Sequence, residues 1–302
     1  MTLRVGLAGT GPWAGLAHAP ALASAEAVEF AGVWGRNAEA ATDLAERYGV
    51  RPYRDFPSML SAVDAVAFAL PPDVQAALAA RAAAQGKHLL LEKPVATSLA
   101  AASAVADAVA AAGVASVVFF TARFQQDTRA WLASVAETGG WAGGQATWLG
   151  TALSESSPFN TPWRHDKGGL WDLGPHVVSL LWASLGPVLR VTADAGAGDL
   201  THLVLHHEGG ATSTATVTVG APEAAEGFSG YLWGQAGRTP LPGEAVRPVE
   251  PLLTALADLA ASAATGKPHE CDVAFGREVV RVLADAEKQL APHRSQTGRA
   301  SA

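Results

Sequence analysis

Three short stretches of this chain combine residue types and spacings that can do chemistry. The first is Glu92-Lys93-Pro94, which ends the run Leu89-Leu90-Leu91. A strand of that texture is buried on both faces, so the two charges arrive where it emerges. A surface turn would hold such a pair at little cost. At the carboxy-terminal end of a strand in an open α/β sheet, the same ammonium faces the crevice where ligands sit. There it can hold a reacting hydroxyl or carbonyl and stabilise developing negative charge. The second stretch is Asp172-x-Gly174-x-His176. Four residues apart, the two side chains share a face if the segment is helical, and Pro175 confines them to a first turn or a bend. Imidazole titrates near neutral pH and suits proton transfer, although alone such a pair is more often a capping Asp and a surface His. The third is Gly9-x-Gly11-x-x-Ala14, directly after a strand and before a helix. The first glycine permits a tight turn, the second lets a pyrophosphate approach the backbone, and the small third residue lets helix and strand pack closely. Pro12 and Trp13 lie inside this loop, whose free N–H groups at the helix start face an anion.

These stretches need a frame, and the first 120 residues supply one by alternating strand and helix. The apolar runs LRVGLAG, VEFAGVWG, VDAVAFAL, HLLL and ASVVFF are separated by segments of helical pattern. Asn37 is the expected N-cap of one helix, and Gly49 its stop. Repeated β-α-β units with uniformly apolar strands predict a doubly wound parallel sheet. After residue 121 the rhythm changes. A helix over DTRAWLASVAETGG precedes GGQATWLGTAL, the first strand of a different sheet. Residues 168–186 carry helical spacing, then LRVTADAG, LTHLVLHH, ATSTATVTVG and GYLWGQ read as strands with period two. Helices near 251–265 and 272–290 follow, and the tail from 291 reads as frayed. The expected fold class is α/β: a Rossmann doubly wound domain over 1–121, then an α+β domain over 122–302 with an open, mainly antiparallel sheet.

The end of the second strand bears on nucleotide choice. NAD-binding domains usually place an acid there for the ribose hydroxyls, but this strand ends in Gly35 followed by Arg36. Losing the carboxylate removes repulsion toward a 2′-phosphate, and a guanidinium binds that phosphate bidentately, so NADP is favoured over NAD.

Composition excludes several partners. A net charge of −7 and a pI near 5.7 offer no basic face to nucleic acid. One cysteine, Cys271, precludes an internal disulfide and fits a reducing cytoplasm best. The residues after Arg4 imitate a secretory leader ending in ALASA, but Gly9, Gly11, Pro12, His18 and Pro20 break the apolar run. Residues 99–120 are interrupted by Asp107 and Gly113, so no membrane span is expected. His202, His206 and His207 lie on one strand, where alternation separates His206 from His207, so no metal site is expected.

Taken together, the glycine loop, VDAVAFALPP with GKHLLLEKP, ARF at 122–124 and GGLWDLGPH at 168–176 resemble the Gfo/Idh/MocA oxidoreductases. The order and spacing of the set span nearly the whole chain. The resemblance implies hydride transfer between a nicotinamide cofactor and a carbinol carbon of a sugar, polyol or related ring compound. It makes Lys93 the first catalytic candidate, His176 the proton donor and acceptor, and Asp172 the residue that polarises it or binds substrate. It also implies cofactor contacts at Gly9, Gly11, Pro12, Trp13, Ala14, Arg36, Leu70, Pro71, Glu92 and Lys93, and raises the hypothesis of a cis Lys93–Pro94 bond. Arg123, Phe124, Trp163, Arg164, His165 and Trp171 are candidates for lining the substrate cleft, with structural roles equally open. Gln75 stands where the family usually has histidine and Ser179 where it often has an acid; both are expected to change the pocket's charge. An open sheet face suggests a homodimer or homotetramer. Two other readings are a glycosidase that uses tightly held NAD transiently and a non-catalytic nucleotide sensor or scaffold.

Overall fold

The computed structural model describes residues 2–243 and 247–297. The chain forms two compact units, Met1–Gln125 with Val246–Glu278, and Gln126–Ala245 with Val279–Ala302. The first unit therefore takes in residues 246–278 besides the expected N-terminal stretch.

The first unit is built on six parallel strands: β1 (Leu3–Ala8), β2 (Val28–Trp34), β3 (Arg51–Pro52), β4 (Ala65–Phe68), β5 (His88–Glu92) and β6 (Ser116–Phe119). Their spatial order is β3-β2-β1-β4-β5-β6. This is the dinucleotide-binding order, with the strand direction of travel reversing between β1 and β4. Leu89, Leu90 and Leu91 are all 0% exposed, as the unbroken apolar run requires. The residues that imitate a leader are β1, the glycine loop and the first helical turns of this sheet. Alanine-rich helices Pro72–Ala84 and Leu99–Ala112 pack against each other, their small side chains allowing close approach. Asn37 caps its helix by accepting from the Ala40 N–H at 3.1 Å, and Ser98 accepts from Ala101 at 3.2 Å. The returning helix Val249–Thr265 covers β5 and β6 with Leu252, Leu256 and Leu259. Beyond it the Cys271 carbonyl accepts the Val118 N–H at 2.7 Å, pairing a backbone donor on the edge strand.

The second unit has six strands: β7 (Trp141–Leu149), β8 (Val188–Ala195), β9 (Thr201–His207), β10 (Thr212–Thr218), β11 (Gly227–Gly234) and β12 (Gly237–Pro240). Their order is β12-β11-β7-β10-β9-β8, with β7 and β10 parallel and the other neighbours antiparallel. Alternation puts Ala146, Leu203, Leu205, Ala215 and Val217 inward, against helices Pro162–Asp172 and Gly174–Leu185. In one row of the register, Tyr231, Gln145, Thr214, Val204 and Thr192 lie side by side on the other face. The final helix extends from Val273 to Thr297; the rest of the tail lies outside the described residues.

Candidate active site

The glycine loop leaves β1 at Gly9, whose φ is +135° and whose N–H donates to the Trp34 carbonyl at 2.8 Å. A Cβ there would stand 2.3 Å from the Ala69 carbonyl oxygen, so only glycine fits. Among the described residues Gly11 has nothing within 4 Å of its Cβ position, which leaves its backbone open to an approaching pyrophosphate. Pro12 is exposed beside it, and Ala14 is wholly buried as the small third residue. Leu70 and Pro71 follow β4, the strand beside β1 at the reversal of strand order. These features fit a dinucleotide.

At the end of β2 the Gly35 position is closed differently. A Cβ there would come within 2.6 Å of Thr10 Cγ2, so an acidic residue could not enter without displacing Thr10. Arg36 is exposed at the same strand end.

At the end of β5, Glu92 is 9% exposed, and its Oε1 accepts the Trp13 indole N–H at 2.6 Å and the His18 Nε2–H at 2.8 Å. Gln75, wholly buried, holds the backbone of the same turn. Its Oε1 accepts the Glu92 N–H, and its Nε2 donates to the Glu92 carbonyl, both at 2.8 Å. The same amide reaches the Pro94 and Val95 carbonyls at 3.3 Å, and the Lys93–Pro94 bond is cis. Lys93 is half-buried at this turn. Gln75, a neutral amide inside the fold, thus braces the backbone of this turn.

Arg123 and Phe124 are also interior, at 3% and 1% exposure. The Arg123 guanidinium pairs with Glu270 at 3.1 Å and lies 5.8 Å from the Phe275 ring centre. Phe124 stacks on His269 at 5.6 Å. Within this unit both residues secure the returning segment.

In the second unit, helix Pro162–Asp172 breaks at Gly168, with φ +63° and ψ −164°. A Cβ on the next residue, Gly169, would meet the Thr218 backbone at 2.6 Å. The Asp199 carboxylate secures this break: it accepts the Gly169 and Val219 N–H groups at 2.8 Å, the Gly220 N–H at 3.2 Å and the Thr218 hydroxyl. Past the break, Asp172 ends one helix and His176 sits in the first turn of the next, so the pair flanks a bend, as Pro175 implied. Asp172 is 4% exposed and takes a two-point bond from Arg164, Nε to Oδ2 at 2.7 Å and Nη2 to Oδ1 at 3.3 Å. Arg164 Nη1 also donates to the Phe159 carbonyl at 3.1 Å, and the guanidinium lies 4.9 Å from the Trp163 ring centre. His176, 8% exposed, lies 5.3 Å from the Trp148 ring centre. Ser179 is buried and its hydroxyl donates to the His176 carbonyl at 2.8 Å, so this departure too lies inside the helix packing.

Of the other cleft candidates, Trp171 is 0% exposed and its indole donates to Glu287 at 2.9 Å, which makes it core. His165 is exposed and bonded to Asn160 Oδ1 at 2.6 Å. His206 and His207 point to opposite faces of β9, as alternation requires. His207 lies between the Gly186 carbonyl, 2.7 Å from Nδ1, and the Ser213 hydroxyl, 2.8 Å from Nε2, and burial lowers its pKa below the ordinary 6.5. Sequence reasoning passed over His18, the bracing role of Gln75, and Asp199. Their partners lie 74, 17 and 30 residues away, and no local pattern announces such contacts.

The chain is similar to known proteins in its N-terminal sequence and in its fold. Residues 3–120 match the family described as "Oxidoreductase family, NAD-binding Rossmann fold", GFO_IDH_MocA, which bears out the resemblance read from the glycine loop and the Glu92-Lys93-Pro94 turn. A glucose-6-phosphate 3-dehydrogenase of Bacillus subtilis is 26% identical over 59% of this chain, and the alignment spans 53% of that protein, about half its length. An oxidoreductase domain protein from Kribbella flavida superposes with a TM-score of 0.85 at 24% identity, covering 97% of this chain and 98% of its own. A levoglucosan dehydrogenase in complex with NADH and levoglucosan gives 0.82 at 21%, again over 97% and 98%. At those identities the solved structures establish the fold.

Proposed function

We propose that this chain, a member of the Gfo/Idh/MocA oxidoreductases through its N-terminal domain, is an NAD(P)-dependent dehydrogenase or reductase acting on CH–OH groups. Its substrate class is a sugar, polyol or related cyclic compound, the class to which the sugar-dehydrogenase relatives point. One observation carries the reading: Lys93 stands at the carboxy end of β5, and the preceding Glu92 is bonded to the loop that begins at Gly9.

When bound, the nicotinamide cofactor supplies or takes up the hydride. The chain's own groups handle the rest. The backbone around Gly11 receives the pyrophosphate, and Leu70 and Pro71 line the cofactor's path. Lys93 holds the substrate oxygen and stabilises the alkoxide-like charge that develops on it. His176 takes the hydroxyl proton on a ring nitrogen during oxidation and returns it on reduction. Asp172, fixed by Arg164, orients the substrate or the imidazole.

The preferred nucleotide is NADP. Arg36 supplies a guanidinium for a 2′-phosphate, and the crowding of Gly35 by Thr10 keeps a repelling acid out. The NADH complex of the levoglucosan dehydrogenase argues the other way, but at 21% identity the residues at the strand end weigh more. The outer face of the second sheet is proposed to join copies of the chain into a dimer or tetramer. Among the described residues no helix is long and apolar enough to cross a membrane, and the buried Cys271 thiol suits a reducing compartment, for which the cytoplasm is proposed.

Fluorescence titration with NADPH and NADH, followed by turnover on a panel of sugars and polyols, tests the reading. Saturable binding, tighter for NADPH, with sugar-dependent reduction of NADP is expected. Lys93→Ala should cut kcat by roughly a hundredfold or more, the scale of a positioned acid–base or charge-stabilising group. Unchanged turnover in that variant would remove Lys93 from the mechanism, and tighter NADH binding would overturn the Arg36 assignment.

A further inference from the structure

We propose that His18 is a positioning residue that acts through Glu92, locking the turn that carries Lys93 to the glycine loop. The inference rests on the reading above for what the loop binds and what Lys93 does. A carboxylate as buried as Glu92 needs donors, and one oxygen, Oε1, receives two: the Trp13 indole at 2.6 Å and His18 Nε2 at 2.8 Å. A carboxylate only accepts, so Nε2 carries the proton in this bond.

The other nitrogen of the ring shows that the arrangement has a cost. His18 is 1% exposed, and its Nδ1 is buried without a hydrogen-bond partner among the described residues. A leucine would pack there without stranding a polar atom. The compensation is what Nε2 does for Glu92.

The backbone is shaped to the same end. Trp13 and His18 are five residues apart, and in a regular α-helix five steps carry a side chain about 140° round from the first. Residues Ala14–His18 instead form a π turn, with the Ala19 N–H bonded to the Ala14 carbonyl. A turn closed by i→i+5 bonds returns residues five apart to the same side, which lets both donors reach one oxygen. Gln75 holds the backbone of Glu92, and the two donors hold its side chain, so the Lys93 turn is gripped from both. Anything that orders the glycine loop therefore bears on the position of Lys93.

The test compares His18→Leu, His18→Asn and His18→Gln in the full-length chain. Glutamine can place an N–H near the Nε2 position, asparagine reaches only as far as Nδ1, and leucine packs with no donor. Three readouts are taken: solvent exchange of the Trp13 indole N–H without cofactor, assigned with Trp13→Phe; the Kd for NADPH and NADH; and kcat against KM. Leucine and asparagine should speed indole exchange and lower kcat about tenfold or more through misplacement of Lys93, with substrate KM changed far less. The same two variants should weaken nucleotide binding about tenfold, and glutamine should restore all three readouts to within about threefold of wild type. A folded leucine variant with wild-type exchange, Kd and kcat overturns the proposal, as does a glutamine variant as impaired as leucine, which would mark a packing role. A wild-type protein that binds neither nucleotide defeats the parent reading instead, while indole exchange still decides whether residue 18 holds the turn.

Discussion

At the scale of single residues, the role proposed for Asp172 depends on its ion pair with Arg164. The Asp172 and Arg164 side chains are only 6% and 16% exposed, so neither charge can fall back on water if the other is removed. Deleting one partner of a buried pair typically costs about 3–5 kcal/mol, far more than an exposed pair is worth. Arg164→Met should therefore lower stability by roughly that amount, measured by urea unfolding, and depress kcat through a displaced Asp172. Arg164→Lys should recover little of either, because a single ammonium cannot span both carboxylate oxygens and the Phe159 carbonyl. A methionine variant as stable as wild type would show that the pair is dispensable. The candidate residues could be picked out because motifs are local: Lys93 follows a buried strand, and Pro175 accompanies the bend between Asp172 and His176. Their supports could not, since Arg164 reads from sequence as a cleft residue and only the fold aims it at Asp172.

At the scale of elements, legibility followed length and uniformity. Strands buried on both faces and helices with Asn37 or Ser98 caps were readable, whereas β3, β12 and the short helix Phe56–Leu60 are too brief to carry a period. The parallel pairing of β7 with β10 was also hidden, because each strand shows the alternation of an antiparallel sheet. One join between elements carries a pH dependence. His207 ends β9 and links the carbonyl of Gly186, just past helix Gly174–Leu185, to Ser213 on β10. Burial is the main cause of its lowered pKa; the Gly186 bond opposes the shift, and His206 adds to it. The unfolded chain then binds a proton near the ordinary 6.5 while the folded chain resists it, so stability should fall as pH drops below 6.5 toward the depressed folded value. His88 shifts the same way, chiefly through burial and against the pull of Asp64. Thermal unfolding followed between pH 7.5 and 5 should show a falling Tm, with a shallower slope in His207→Gln. Equal slopes would assign the acid sensitivity elsewhere.

At the scale of the whole molecule, the sequence showed two kinds of sheet and a change of rhythm at 121, but not that residues 246–278 belong with the first unit. An amphipathic helix such as Val249–Thr265 advertises an apolar face without saying which sheet it covers. The outer face of the second sheet poses a converse problem, because Thr214 and Gln145 at its centre are exposed. Six strands at about 4.8 Å spacing and about seven residues of roughly 3.3 Å rise make a face of order 24 by 23 Å, or some 550 Å² before side-chain relief is added. A standard stable interface uses roughly 800 Å² from each partner, so relief and a modest rim bring this face into range. Its centre holds Thr214 and Gln145, with Tyr231 and the 40% exposed Trp233 to one side, a mixture of small polar and aromatic groups suited to packing. In a two-fold dimer, residues near the axis meet their own copies, so a charge placed there meets a like charge. Thr214→Arg should leave the monomer folded, because Thr214 is exposed, yet shift the protein from dimer or tetramer to monomer in sedimentation velocity at micromolar concentration. Wild-type chain that sediments as a monomer, or a variant that keeps the wild-type assembly, would assign this face to another partner or to water.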